Sequence, residues 1–496
     1  MDFLSFVIGL CLTWIIIKTF HIILRSKAIH KKLPPGPKPF PVIGNLLELG
    51  DKPHRSLTRL AKEYGPIMTL KLGRLTTIVI SSANMAKEVL QTHDQLLSNR
   101  TVPDAFRLQG HEVVGMPFIP ISRHWRNLRK ICNGQLFSNT ALDANQDTRR
   151  KKVQELLAET RQSSLTGEAV DIGKAAFKTS LNMLSNTILS VDLVGPNSDA
   201  TIKYKEIVWT IMKEAGKPNL ADFFPVLQKF DPQGIRQRMT VNFVKMKNIF
   251  AHKISERLQL RKVSGSLTNS DMLDTLINIC EENSEMMDKY RMEHFIMDLF
   301  AAGTDTTSST MEWAMAELLC NPDASSKAKL ELKQVIGEGH TMEESDISRL
   351  PYLQAILKET LRLHPPTPLL LPRKADADVE INGYIIPKGA QVLVNAWAIG
   401  RDPTLWENAN SFMPDRFLES EIDVKGRNFE IIPFGSGRRI CPGLPLAIRV
   451  LHLMLGSLIH TFDWKLEDGV KLEDMNMEEN FGITLQRAHP LRAVPI

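Results

Sequence analysis

Apolar residues follow three different rhythms along this chain. The first is an unbroken block. Residues 3–24 read FLSFVIGLCLTWIIIKTFHIIL, with no charge from Phe3 to Ile17. As a helix this block rises ~33 Å, about one hydrocarbon thickness. Lys18 and His21 fall near its end, where such side chains reach the headgroups. Asp2 precedes the block, while Arg25, Lys27, Lys31 and Lys32 follow it. That order is the reverse of a cleaved signal peptide, and it leaves the rest of the chain on the cytoplasmic side. The second rhythm is strand-like. It occurs at 67–72, 76–81, 379–381, 384–386 and 391–395. Asn382-Gly383 predicts a tight hairpin turn between two of these runs, and Pro387-Lys388-Gly389 a further turn. The third rhythm has the helical period and fills most of the remainder, as at 152–160 and 290–319. The expected fold is mainly α with small β-sheets, preceded by an N-terminal transmembrane helix.

Between the block and the body stand Leu33-Pro34-Pro35-Gly36-Pro37, then Pro39 and Pro41. Prolines fix φ, so this stretch reads as a stiff spacer. No Gly/Ser-rich linker or internal repeat follows. The expected organisation is an anchor at 1–24, a basic, proline-rich hinge at 25–45 and one compact body at 46–496. With 496 residues, 43% of them hydrophobic, the chain can bury a large core.

Five cysteines, Cys11, Cys132, Cys280, Cys320 and Cys441, form no Cys-x-x-Cys pair. A disulfide framework and a structural zinc site are therefore not expected, and four of the five should be buried small hydrophobes. The net charge of +5 suits an anionic membrane or an acidic partner and is too small to argue for nucleic acid. The densest basic run, Arg149-Arg150-Lys151-Lys152, is expected to be a solvated helix face. The sequon Asn99-Arg100-Thr101 should stay unmodified on a cytoplasmic body. No phosphate-binding glycine loop occurs, which argues against a nucleotide cofactor on this chain.

One cysteine differs from the others. Residues 434–443 read Phe-Gly-Ser-Gly-Arg-Arg-Ile-Cys-Pro-Gly, and an apolar helix at 444–461 follows directly. Gly435, Gly437 and Gly443 would let backbone approach something flat or bulky, and Pro445 suits a first helical turn. Cys441 thus precedes a helix N-terminus, where free N–H groups and the helix dipole stabilise a thiolate. A tight turn around an inert cysteine, or a nucleophile with a histidine base, are the alternatives. The adjacent arginines favour a thiolate beside an anionic group.

A second segment stands out on the helix that starts near Glu293. Ala302-Gly303-Thr304-Asp305-Thr306-Thr307 is followed by Ser308-Ser309-Thr310, putting six hydroxyl residues and one Asp within 304–310. Such residues compete for backbone hydrogen bonds, and Gly303 weakens the helix further. The helix is expected to bend or open there and admit water or a small ligand. Further on, Glu359 and Arg362 share a helix face ahead of Pro365-Pro366. As a surface pair they would contribute only ~0.2–0.5 kcal/mol.

Together these segments resemble the cytochrome P-450 family. The cysteine loop matches F-x-x-G-x-R-x-C-x-G through Phe434, Gly437, Arg439, Cys441 and Gly443, and 302–307 matches A/G-G-x-D/E-T-T/S. Glu359-x-x-Arg362 comes next in family order, followed by Pro414-Asp415-Arg416-Phe417, in which Asp415 replaces the usual Glu. Trp125 and Arg129 fit W-x-x-x-R, and Arg373 follows Pro372 as another family position. The resemblance implies haem b with iron, ligated by Cys441. Phe434 would pack near the sulfur, and Arg439, Trp125, Arg129 and Arg373 would lie at the haem edge. Thr306 would hydrogen-bond the oxygen species on the iron, with Asp305 helping to deliver protons. Glu359, Arg362 and Arg416 would form a buried ionic cluster locking the cysteine loop.

The resemblance is greatest to plant microsomal enzymes of the geraniol 8-hydroxylase branch, through RLPYLQ at 349–354, NAWAIGRD at 395–402, 432–449 and FGITL at 481–485. It implies a monooxygenase of the endoplasmic reticulum membrane, single-pass and facing the cytosol, supplied with electrons by an NADPH-dependent reductase. A monoterpene alcohol such as geraniol is the first substrate expected, and phenolics or alkoxycoumarins the second. By resemblance the substrate wall comes from Phe106, Val113, Val114, Phe118, Ile119, Phe300, Ala301, Leu369, Leu370, Phe481 and Ile483. None of these is charged. A haem-binding ligand sensor without turnover and a reductase-independent isomerase are the rivals, and the intact Asp305-Thr306 pair argues against both.

Overall fold

A computed structural model describes residues 32–195, 199–264, 271–467 and 471–496. The expected anchor at 1–24 lies outside the described residues. The body is mainly helical. The helices that matter below are α1 (Pro53–Tyr64), α2 (Arg123–Ile131), α3 (Ile172–Leu189), α4 (Asp199–Gly216), α5 (Ile235–Ser264), α6 (Lys289–Cys320), α7 (Pro351–Leu363) and α8 (Leu444–Thr461). Polar residues start several of them. Ser122 accepts the N–H of Trp125 ahead of α2, Asp171 that of Lys174 ahead of α3, and Asp288 that of Arg291 ahead of α6.

The central element is α6, which packs most extensively on α3 and also meets α5, α7 and α8. Gly303 has a packing reason. A Cβ there would stand 2.6 Å from Leu184 Cδ1 of α3. The helix neither breaks nor opens at its hydroxyl run. Thr304, Thr306, Thr307 and Thr310 each donate to the carbonyl four residues back, at 2.6–2.9 Å. The competition foreseen from sequence is thus resolved within the helix. Although α8 is long and apolar enough to cross a membrane, it is largely buried in the core.

The strands that matter below are β1 (Ile67–Leu72), β2 (Leu75–Ile80), β3 (Asn99–Arg100), β4 (Arg373–Lys374), β5 (Val379–Ile381), β6 (Tyr384–Ile386) and β7 (Gln391–Val394). A five-stranded sheet runs β1-β2-β7-β4-β3, with β2 and β7 parallel and the other pairs antiparallel. β5 and β6 form the hairpin that Asn382-Gly383 predicted. The register of β3 on β4 sets Arg100 opposite Arg373.

Three expectations change. The proline segment is no free spacer in its described part, because it lies along β1. Thr69 N–H donates to Pro35 O at 2.8 Å, and Gly44 bridges to Leu72. The basic run at 149–152 is a solvated face only at Arg150 and Lys151. Arg149 is fully buried and makes a two-pronged pair with Glu344 at 2.5 and 2.9 Å, and Lys152 is buried against Asp192 and Glu155. Of the cysteines expected to be buried, Cys132 is, whereas Cys280 and Cys320 are half-buried and Cys11 lies outside the described residues.

Candidate active site

The cysteine loop is held from both ends. Cys441 N–H donates to Phe434 O at 3.0 Å, closing the loop on itself. Gly437, at φ 71°, presses on the backbone of Leu90, where a Cβ would come within 2.1 Å of its carbonyl oxygen. This glycine therefore serves contact with protein backbone rather than with a flat ligand. Cys441 lies two residues before Gly443, the residue that caps α8. Burial pushes its thiol pKa up, opposed by the N–H groups of Gly443 and Leu444 and by the positive charge of Arg129. A positive metal ion at the sulfur would tip that balance to the thiolate. By contrast, burial drives Cys132 up to about 12, which keeps it an inert thiol.

Around the loop lies an excess of positive charge, with Arg373 buried and Arg100, Arg129 and Arg439 half-buried. Arg129, one turn after Trp125 on α2, donates to Ile440 O at 2.5 Å. Arg439 spans three carbonyls, of Ser98, Met116 and Ile119, and stands over the ring of Trp125 at 4.8 Å. Arg373 donates to Asp94 at 3.0 Å and to Ser436 O at 3.3 Å. Arg100 donates to Leu371 O, while its buried Nε finds no partner among the described residues. Burial, reinforced by Arg373 and Arg439, pulls the pKa of Arg100 well down, and burial brings Arg439 to about 10. Asp94 offsets only part of this charge. Like charges set directly opposite each other on paired strands are destabilising. A group bearing carboxylates is what such a cluster accommodates.

On α6, Thr304, Asp305 and the run from Thr307 to Leu318 are buried, whereas Ala302 is exposed and Ala301, Gly303 and Thr306 are half-exposed. Residues Ile440, Cys441, Pro442, Gly443 and Leu444 are likewise only half-covered. Uncovered stretches on two interior elements fit the space that a flat prosthetic group fills. Asp305 turns away from Thr306 towards the C-terminal segment, where Gln486 Nε2 donates to its Oδ1. Burial raises its pKa to about 6. That segment is fixed to α6 by Ser309 Oγ and Trp313 Nε1, which donate to Leu485 O at 2.9 and 3.3 Å.

Glu359 and Arg362 of α7 are fully buried. Arg362 reaches Glu359 at 2.6 and 2.7 Å and the carbonyls of Gly400, Ala409 and Ser411 at 2.5–3.1 Å. Arg416 adds a 3.1 Å contact to Glu359, whose Oε1 also accepts Met413 N–H at 2.7 Å. The cluster therefore clamps 400–416 directly. The link to the cysteine loop is apolar, through Trp406, Phe417 and Ile431, against which Phe434 packs. Asp415 points elsewhere, to Lys327 and Tyr352.

The expected wall residues divide. Phe106 and Phe118 pack on each other at 4.3 Å, with Ile119 and Val114 buried nearby. Ala301, Leu369, Leu370, Phe481 and Ile483 are half-exposed. Phe300 is fully buried against Phe250 at 4.6 Å, so it backs the core, and Val113 is exposed on the outer side of its turn. Arg100, Asp94 and Gln486 escaped the sequence reading. Their partners lie hundreds of residues away, and nothing in their local pattern marks them.

The sequence matches the Cytochrome P450 family model over residues 34–491. It is 56% identical to "Geraniol 8-hydroxylase" of Catharanthus roseus, with 100% of this chain and 99% of that protein aligned. It is 54% identical to "Geraniol 8-hydroxylase" of Swertia mussotii over 99% of each chain. It is 50% identical to "7-ethoxycoumarin O-deethylase" of Helianthus tuberosus over 100% of this chain and 99% of that protein. A match this long, on a chain whose clustered arginines and half-covered cysteine loop suit an anionic, iron-bearing macrocycle, has one reading: the chain belongs to the cytochrome P450 family and is a haem-thiolate monooxygenase.

Proposed function

We propose that this enzyme hydroxylates a small apolar terpenoid alcohol, geraniol in the first instance. The observation that carries the reading is the end-to-end identity of 54–56% with two geraniol 8-hydroxylases. The character of the expected wall supports it. Phe106, Phe118, Ala301, Leu369, Leu370, Phe481 and Ile483 offer hydrocarbon surface and no charge. Such a wall binds by area, at ~25 cal/mol per Å² buried.

Bound haem supplies the activation of O₂. Cys441 would hold its iron, and Arg100, Arg129, Arg373 and Arg439 would hold its carboxylates. Phe434 shields the sulfur. Thr306 offers a hydroxyl on the uncovered face of α6. Asp305, whose pKa burial raises to about 6, can hold a proton on this helix beside Gln486. Electrons come from an NADPH-dependent reductase. Residues 1–24 anchor the body to the endoplasmic reticulum membrane, assisted by apolar side chains exposed beside the proline segment.

The test is turnover by the full-length enzyme with an NADPH-dependent reductase, on a panel of geraniol, other terpenols, 7-ethoxycoumarin and a flavonoid. Geraniol is expected to shift the Soret band and give a hydroxylated product. Cys441→Ser should lose both turnover and the red-shifted CO band of thiolate ligation. The 50% identity to an ethoxycoumarin dealkylase favours a second reading. Dealkylation of the coumarin without any response to geraniol would establish it in place of the first.

A further inference from the structure

Two histidines and an aspartate meet beneath the loop at 104–119. His111 begins the short turn His111–Val114, and His294 and Asp298 lie one turn apart on α6. His111 Nδ1 is 2.9 Å from His294 Nδ1, and the rings stack with centroids 5.2 Å apart. His111 Nε2 is 3.2 Å from Asp298 Oδ1. The other oxygen of Asp298 accepts the N–H of Met116 at 2.8 Å. One carboxylate on α6 thus holds the loop at two points.

The proton positions follow from the contacts. Asp298 can only accept, so His111 carries its proton on Nε2. Its Nδ1 then accepts from His294 Nδ1–H. The atom left over is His294 Nε2, which is buried without a partner among the described residues. As a bare lone pair it costs less than the buried, unpaired N–H of the opposite arrangement. Burial, with help from His111 and Lys247, brings the pKa of His294 down to about 3, so it stays neutral. Phe106, Phe243 and Tyr290 enclose the pair, and Lys247 is itself paired with Glu293 at 3.7 Å.

The far end of the same loop is tied to the cysteine loop, because Arg439 holds the carbonyls of Met116 and Ile119. Phe118 sits between these moorings. Removing one should let Phe118 and Ile119 drift while the other remains.

We propose that Asp298, His111 and His294 are positioning residues that set the wall at Phe118 and Ile119, and so decide which substrate carbon is oxidised. This rests on the reading of that loop as substrate wall. The experiment uses the full-length holoenzyme and two readouts, amide hydrogen exchange over 104–119 and the ratio of hydroxylated regioisomers. In Asp298→Ala, exchange of these amides should quicken roughly tenfold or more, the loss of a hydrogen bond to a charged group. The product should spread over more than one carbon while the CO spectrum keeps its intensity. Asp298→Asn, which retains an acceptor for Met116, should fall between. His111→Phe keeps the ring packing and the Met116 bond, so it serves if Asp298→Ala fails to load haem. It too should shift the isomer ratio. Unchanged exchange and an unchanged ratio in a haem-loaded variant would overturn the proposal. Exchange needs no substrate, and the ratio can be read on whichever panel compound turns over, so a wrong substrate assignment shows up separately.

Discussion

Asp305 has both carboxylate oxygens shut away from solvent, and burial lifts its pKa from 3.8 to about 6. The folded chain therefore binds this proton more tightly than the unfolded chain. Below 3.8 the group is protonated in both states and costs nothing. As pH rises from 3.8 to about 6 the unfolded chain ionises while the folded chain keeps its proton, so stability is lost across that window and stays lost above it. The gap from 3.8 to about 6 corresponds to roughly 3 kcal/mol at pH 8 and about half that at pH 5. Asp305→Asn keeps an acceptor for Gln486 and removes the charge. It should melt higher than the parent at pH 8, with the margin shrinking towards pH 5. Reductase-coupled turnover should fall, since the amide has no proton to give. Thermal melts at the two pH values check this. A margin that does not vary with pH would mean that the carboxylate is not the source of the strain.

At the scale of elements, α7 is clamped to 400–416 by one side chain. Arg362 makes five contacts from a rigid fork, two to Glu359 and three to carbonyls. Lysine presents a single ammonium and cannot reproduce that geometry. Glu359→Ala leaves two buried guanidinium groups uncompensated, a loss of ~3–5 kcal/mol. Both Glu359→Ala and Arg362→Lys should therefore yield little haem-loaded protein, read from the CO difference spectrum per mole of polypeptide. Normal loading in both would make the cluster dispensable. The elements themselves were legible in the sequence. α8, β1 and the hairpin of β5 and β6 begin and end where periodicity and turn chemistry put them. Partnerships across the chain were not. Arg149 looked like part of a solvated charge run because its carboxylate, Glu344, is 195 residues away. Arg100 looked like part of a sequon because its neighbours Arg373 and Arg439 arrive only when the sheet and the cysteine loop are assembled. Local pattern records what a residue does for its own helix or strand, and a buried charge is decided by the fold.

For the whole molecule, the question is how the body meets a membrane. Val42, Leu47, Val226 and Phe230 are 66–76% exposed, and Phe40 is 56% exposed. These residues come from two distant segments that the Gly73-Arg74 turn brings together. Gly73 N–H donates to Ile43 O at 3.1 Å, and Arg74 N–H to Phe223 O at 3.0 Å. Large exposed apolar side chains gathered in one patch mark a surface made for an apolar medium. They adjoin the segment that leads to the expected anchor, so both would enter the same leaflet. Removing residues 1–24 should then leave the CO spectrum intact and weaken membrane retention without abolishing it. In the truncated protein, Val226→Ser together with Phe230→Ser should lower binding to anionic lipid vesicles by at least about tenfold. Each side chain would bring ~1.5–3 kcal/mol if fully buried, and partial insertion supplies a fraction of that. Vesicle flotation measures the effect. If the truncated protein does not float at all, or floats equally with both serines in place, the patch does not insert and residues 1–24 carry the attachment alone.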